Sequence, residues 1–143
     1  MSVSTKKVFT TIQNVRFGHV DPAGIAYYPR IFDYVHEAFE ELWEAHVGKR
    51  YYHLVGEERL GFPLVHSEVD FERPLRFGDR PVVRVSCFRL GKSSLGLRYV
   101  YELDGERCLE ARMTTVCVNL DSLDSLPIPE AYRQRFEEIR EVD

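Results

Sequence analysis

The chain is poor in cysteine. Cys87, Cys108 and Cys117 are the only three, and no C-x-x-C pair occurs among them. An odd count at such spacings excludes a closed disulfide framework and a zinc knuckle. The sequence also has no internal repeat, no low-complexity stretch and no Gly/Ser-rich linker. No apolar run approaches the length of a bilayer-spanning helix. Met1 to Phe9 holds lysines but no apolar leader core, so a signal peptide is not expected. Basic charge is not in excess: Lys+Arg 19 against Asp+Glu 23 leaves a net charge of −4. A net-acidic chain is a poor general binder of nucleic acid. These absences predict a reduced, cytoplasmic protein with neither a membrane nor a nucleic acid as partner.

What is present is a globular mixture, 44% hydrophobic and 29% charged. With 143 residues, the chain fits a single domain over 1–143 that can bury its own core without crosslinks. Val8 to Phe17 is rich in β-branched and aromatic residues and predicts a strand. Asp21-Pro22-Ala23-Gly24 is a turn signal. Pro29 suits the first position of a helix, where its missing N–H costs nothing. From there Ile31, Val35, Ala38, Phe39, Leu42 and His46 follow a helical rhythm. Phe32, Tyr34 and Trp43 widen that stripe, while Asp33, Glu37, Glu40, Glu41 and Glu44 form the polar face. A helix this apolar needs other structure around most of its circumference. Gly48 is a plausible end to it.

Tyr51 to Leu60 reads as a short second helix ending at Gly61. After Pro63 the period becomes two, with Val65, Ser67, Val69 and Phe71 alternating with His66, Glu68, Asp70 and Glu72. Pro81 to Leu90, Ser94 to Leu103 and Arg107 to Asn119 read as three more strands, joined by turns at Gly91-Lys92-Ser93 and Asp104-Gly105. Pro129 starts a last helix with Tyr132, Phe136 and Ile139 as its stripe. A strand, a long helix and four consecutive strands imply an α+β protein whose antiparallel sheet curls around one central helix.

The segment Arg16-Phe17-Gly18-His19-Val20-Asp21-Pro22-Ala23-Gly24-Ile25-Ala26-Tyr27-Tyr28-Pro29 carries the chemistry. It sets a carboxylate in a Gly/Pro loop ahead of a helix N-terminus, where unpaired N–H groups and the dipole favour negative charge. A carbonyl developing charge would be stabilised there, with Asp21 attacking it or activating water. The same residues also make a plain turn, with Asp21 capping it. His19 points away from Asp21 if the strand continues.

Asp21, Pro22, Ala23, Gly24, Ile25, Tyr28 and Pro29 together resemble the signature of the 4-hydroxybenzoyl-CoA thioesterase family of hot-dog-fold enzymes. Pro63-Leu64-Val65-His66, Asp70-Phe71 with Pro74-Leu75 and Gly78-Asp79, and Gly91-Lys92-Ser93 resemble later elements of that family. The resemblance runs from about Phe9 to about Phe136. It implies a hot-dog fold and hydrolysis of an acyl-CoA, aromatic in the branch that fits best. It implies Asp21 as nucleophile or general base, and the backbone N–H of Tyr28 as the group that polarises the thioester carbonyl. Gly24 and Pro29 then shape the substrate site. Members of the family use no metal and no organic cofactor. Relatives with His at the Tyr28 position accept short aliphatic acyl groups, so the acyl group stays open.

Two other functions remain: a hydratase or dehydratase on an acyl thioester, and a non-catalytic binder of acyl-CoA or acyl-carrier protein. The former usually carries a His-Asp or His-Glu dyad at the central helix, and none is set beside Asp21. His66 shares a strand face with Glu68. It either orients a water or lines the acyl pocket, or it is an interface histidine. His36-Glu37 is half of a zinc motif whose second ligand position is Glu40. Cys117 with His66 would make a nucleophile pair, but Cys87 and Cys117 share the parity of core residues. Between Arg73 and Arg98, seven basic residues face one acid, Asp79. That stretch is either a solvated sheet face or a dock for coenzyme A phosphates, with Arg89, Lys92 and Ser93 the best candidates. One helix on one sheet leaves a face and an edge uncovered, which predicts a homo-oligomer. The family resemblance implies dimers, joined edge to edge, and dimers of dimers.

Overall fold

A computed structural model describes residues 7–142 of the chain. Residues 1–6, most of the segment weighed above as a leader, lie outside the described residues. A five-stranded antiparallel sheet has the order β1-β4-β5-β6-β3. Its strands are β1 (Phe9–Ile12), β3 (Leu64–Phe71), β4 (Val82–Leu90), β5 (Ser94–Leu103) and β6 (Glu106–Val116). The helix α1 (Arg30–Leu42) lies across its concave face.

Alternation explains the three central strands. Val83, Val85 and Cys87 of β4, Leu95, Leu97, Tyr99 and Tyr101 of β5, and Leu109, Ala111 and Met113 of β6 are all buried. Between them, Arg84, Arg98, Glu110 and Arg112 carry the charges of the outer face, where Ser86 and Gly96 are themselves covered. The Asp104-Gly105 turn has φ of 52° and 78°, the left-handed pair that a tight hairpin needs. Ile31, Tyr34, Val35, Ala38, Phe39 and Leu42 of α1 are buried in one core with these strand residues, as is Trp43 just beyond the helix. Phe32 does not join them, being 45% exposed. The helix runs on through a widened turn, Trp43–Val47, and stops at Gly48. Gly48 has φ 87°, and its N–H donates to Trp43 O at 2.8 Å.

Several boundaries differ from the expectation, each for a local reason. β1 ends at Ile12 rather than Phe17. Its partner ladder reaches Pro81, which has no N–H to return. Gln13 and Val15 still donate to Pro81 O and Asp79 O, and Phe17–His19 then form one helical turn. The second helix, α2 (Tyr51–His53), continues as a wide turn to Glu58. Leu60–Gly61 is not helical but a strand, β2, paired with β7 (Val118–Asn119). The last sheet strand therefore ends at Val116, and the chain leaves the sheet beyond it. The final helix, α3 (Glu130–Glu138), follows Pro129 as expected and buries Phe136.

β3 departs furthest. It alternates in sequence, yet Val65 is 60% and Phe71 56% exposed. It is one of the sheet's two edge strands, bonded to β6 on one side only, with a register shift between Leu64 and His66. The outer sheet face is less bare than a lone helix suggested. Arg84–Glu102, Arg98–Glu110 and Arg112–Glu68 cover it with ion pairs. It is a wettable face, whereas the β3 edge also exposes Leu64, Val65 and Phe71.

Candidate active site

The loop between β1 and α1 closes on itself. Val20 pairs with Ala26, the Asp21 N–H donates to Ile25 O at 2.9 Å, and the Gly24 N–H donates to Asp21 O at 2.8 Å. Gly24 has φ 78°, a conformation that L side chains adopt at a cost. Asp21 Oδ1 accepts the Ala23 N–H at 2.9 Å and the Ile25 N–H at 3.4 Å. The turn-capping role is therefore real. It uses one carboxylate oxygen and leaves Oδ2 without a partner among the described residues.

The loop is held against the stretch that follows β3. Ile25 pairs with Arg76, and the Ala26 N–H donates to Leu75 O at 2.7 Å. The entry to α1 is closed by Arg30 N–H to Tyr27 O at 2.7 Å, Ile31 N–H to Tyr28 O at 3.1 Å and Phe32 N–H to Pro29 O at 3.2 Å. The Tyr28 N–H meets no acceptor among the described residues. The loop thus offers an unengaged carboxylate oxygen at Asp21 and, beside the N-terminus of α1, an unengaged N–H at Tyr28. A recess of about 310 Å³ lies against Ile25, Tyr28, Ile31, Phe71 and Leu75. Further along α1, a cavity of about 510 Å³ is bounded by Val35, His36, Phe39, Phe62 and Met113. Both have the size and apolar character of small-ligand clefts.

Arg89, Lys92 and Ser93 are elsewhere. They sit at the β4–β5 hairpin, at the end of the sheet where β3 begins: Leu64 faces Thr115, which faces Leu95. The Asp21 loop is fastened beyond the other end of β3. Within one chain the structure does not bring the two groups together. Arg89 Nε donates to Ser94 Oγ at 3.1 Å, while the Lys92 ammonium has no partner among the described residues. Much of the remaining basic stretch is the solvated face: Arg73 pairs with Glu106, Arg84 with Glu102 and Arg98 with Glu110 and Glu141.

His66 is exposed, its Nε2 3.4 Å from Glu68 Oε2, and it does not face Asp21. His36 pairs with Glu40 at 2.9 Å. The cysteines are free and buried. Burial pushes the Cys87 thiol up to about 12 and raises Cys117 as well, which suits inert packing rather than nucleophilic attack. The residue that sequence reasoning passed over is His19, whose Nδ1 lies 2.9 Å from Tyr34 Oη. A tyrosine on the buried face of α1 needs a partner for its hydroxyl, and that was the available signal.

The sequence pattern of the thioesterase-like superfamily matches residues 15–136. The chain belongs to that superfamily. Its superfamily relatives include a 1,4-dihydroxy-2-naphthoyl-CoA hydrolase of Nostoc punctiforme, 28% identical over 129 residues, covering 90% of this chain and 86% of the relative. A thioesterase-superfamily crystal structure from Jannaschia sp. CCS1 superposes with a TM-score of 0.88 at 28% identity, covering 98% of each chain. A gentisyl-coenzyme A thioesterase superposes with a TM-score of 0.79 at 28% identity, covering 87% of this chain and 99% of that one. The hot-dog fold and the thioesterase class expected from the sequence agree with this membership. These two relatives are named for naphthoyl- and gentisyl-CoA rather than hydroxybenzoyl-CoA.

Proposed function

We propose that this thioesterase-superfamily protein hydrolyses an aromatic acyl-CoA to the free acid and coenzyme A at the Asp21 loop. The reading rests on an unengaged Asp21 Oδ2 and an unengaged Tyr28 N–H carried by the two limbs of the one loop that leads into α1. The thioester oxygen takes the Tyr28 N–H, and charge developing on it is favoured by the helix dipole. Asp21 acts in one of two ways. It attacks the carbonyl carbon, expelling the CoA thiolate and leaving an aspartyl anhydride that water hydrolyses. Alternatively, it takes a proton from the water that attacks. The aromatic preference rests on the relatives' names and on the apolar recess beside Tyr28. The three free cysteines fit a reducing, cytoplasmic compartment.

The working unit in this proposal is at least a dimer. An edge strand with Leu64, Val65 and Phe71 exposed is a liability that pairing removes. Antiparallel pairing of β3 with a second copy of itself sets the start of one strand beside the end of the other. The β4–β5 hairpin of one subunit then approaches the Asp21 loop of its neighbour. Lys92 would there meet the phosphates of a CoA bound across the interface.

Thiol release from benzoyl-, hydroxybenzoyl-, dihydroxynaphthoyl- and short aliphatic acyl-CoAs tests the reading. Release of thiol, with higher kcat/KM on the aromatic esters, supports it. Hydration of an enoyl-CoA without thiol release, or binding without turnover, rejects it.

A further inference from the structure

The helical turn at Phe17–His19 turns the His19 ring onto α1. Its Nδ1 atom accepts the Arg16 backbone N–H at 3.3 Å and lies 2.9 Å from Tyr34 Oη. A backbone N–H only donates, so in this arrangement Nδ1 is the acceptor and the Tyr34 hydroxyl donates to it. Burial pushes the Tyr34 phenol up to about 12, so it keeps the proton it donates. The two rings meet edge to face at 5.3 Å.

Tyr34 is a rigid post. It is 2% exposed, and its carbonyl accepts from Gln13 Nε2 at 2.6 Å, which ties α1 to the segment after β1. The His19 main chain grips the other limb of the loop: its carbonyl accepts the Tyr27 N–H at 2.9 Å. Tyr27 directly precedes Tyr28, and His19 stands two residues before Asp21. One residue therefore joins the helix, the outgoing limb that carries Asp21 and the returning limb that carries the Tyr28 N–H.

We infer that His19 is a positioning residue. Its Nδ1 bond to Tyr34 and its carbonyl bond to Tyr27 set the spacing between the Asp21 carboxylate and the Tyr28 N–H. The inference rests on the roles proposed above for those two groups. His19 touches neither the acyl group nor the water. Its effect is on alignment, where a misplacement near 1 Å costs on the order of 10²-fold in rate.

Amide geometry separates the variants. His19→Asn puts an oxygen acceptor where Nδ1 sits, whereas His19→Gln leaves a methylene there. His19→Gln is expected to lower kcat on the order of 10- to 10²-fold with KM within about twofold. Tyr34→Phe should do the same, and His19→Asn should recover most of the loss. The double variant His19→Gln/Tyr34→Phe should be no slower than either single one, the mark of a shared contact. Amide hydrogen exchange over residues 20–28, read by mass spectrometry, should quicken about tenfold or more in the Gln and Phe variants. That readout is independent of turnover. Wild-type exchange and kcat in a folded His19→Gln protein, or equal losses in Gln and Asn, overturn the inference. Full turnover by Asp21→Asn with unchanged exchange would reject the catalytic reading of Asp21 instead, while quickened exchange in His19→Gln would still uphold the clamp.

Discussion

Arg98 Nε donates to Glu141 Oε2 at 2.7 Å and binds the end of the chain to the outer face of the sheet. Ser86 Oγ donates to the same Oε2 at 2.7 Å, and Arg98 Nη1 reaches Glu110 Oε2 at 2.6 Å. Burial alone would raise the Glu141 pKa, but the bonds from Arg98 and Ser86 outweigh it and hold the carboxyl below its ordinary value. Register makes the network necessary. Arg98 stands directly opposite Arg112, and a like-charge pair needs an acid between.

Glu141→Gln should therefore lower stability at neutral pH by about 1–3 kcal/mol, the scale of a charge-assisted bond. A carboxyl held below its unfolded value adds stability above that value and loses it as pH falls through the folded one. The melting difference between wild type and variant should thus narrow as pH is taken down through the carboxylate range. A difference that stays constant into acid would contradict this role for the ion pair.

Gly24 can be tested against Gly18. A Cβ at either position would meet nothing within 4 Å, but only Gly24 has a positive φ. Gly24→Ala should cost about 1–2 kcal/mol from backbone strain, and Gly18→Ala should be close to neutral in a thermal melt. Equal effects would show that the loop relaxes freely around Gly24.

The proposed assembly meets along the β3 edge. Sedimentation of the wild-type chain should give a mass at least twice 16.7 kDa. A chain with Val65→Lys and Phe71→Glu should sediment as a folded monomer and lose turnover, because its site would lack the second copy. A wild-type monomer at micromolar concentration would remove both the dimer and the shared site.

Periodicity made the centre of the fold legible. The helical stripe from Ile31 to Trp43 matches the buried residues apart from Phe32, and the two-residue rhythm of β4 to β6 matches most of theirs, with Ser86, Gly96 and Cys108 buried off the rhythm. Asp21 and Gly24 were legible because turn chemistry is local. What escaped was long-range. Whether β1 stops at Ile12 depends on Pro81, across the sheet. Whether Arg84 is free depends on register, which lays it one step from Glu102. His19 looked idle because an extended strand was assumed through Phe17, and the helical turn redirects its ring to Tyr34. Arg89, Lys92 and Ser93 read in sequence as contacts to the same substrate but lie at the opposite end of β3 within one chain.

Lys92→Ala should raise KM for an acyl-CoA and leave kcat nearly unchanged, because a remote phosphate contact acts alike in ground and transition states. Arg89→Ala should act more weakly, since its Nε is already bonded to Ser94. A truncated pantetheine thioester, which lacks the nucleotide, should not register either change. Equal losses on both substrates would rule out phosphate contact.

The most direct test is Asp21→Asn. Asparagine keeps an Oδ1 to accept the Ala23 and Ile25 N–H groups, so the loop and the fold should survive. It replaces the free Oδ2 with an amide nitrogen, which neither attacks a thioester nor takes a proton from water. Thiol release from the best aromatic acyl-CoA should show kcat falling on the order of 10²–10⁴-fold at similar KM. A folded Asp21→Asn protein that turns over at near the wild-type rate would contradict the account.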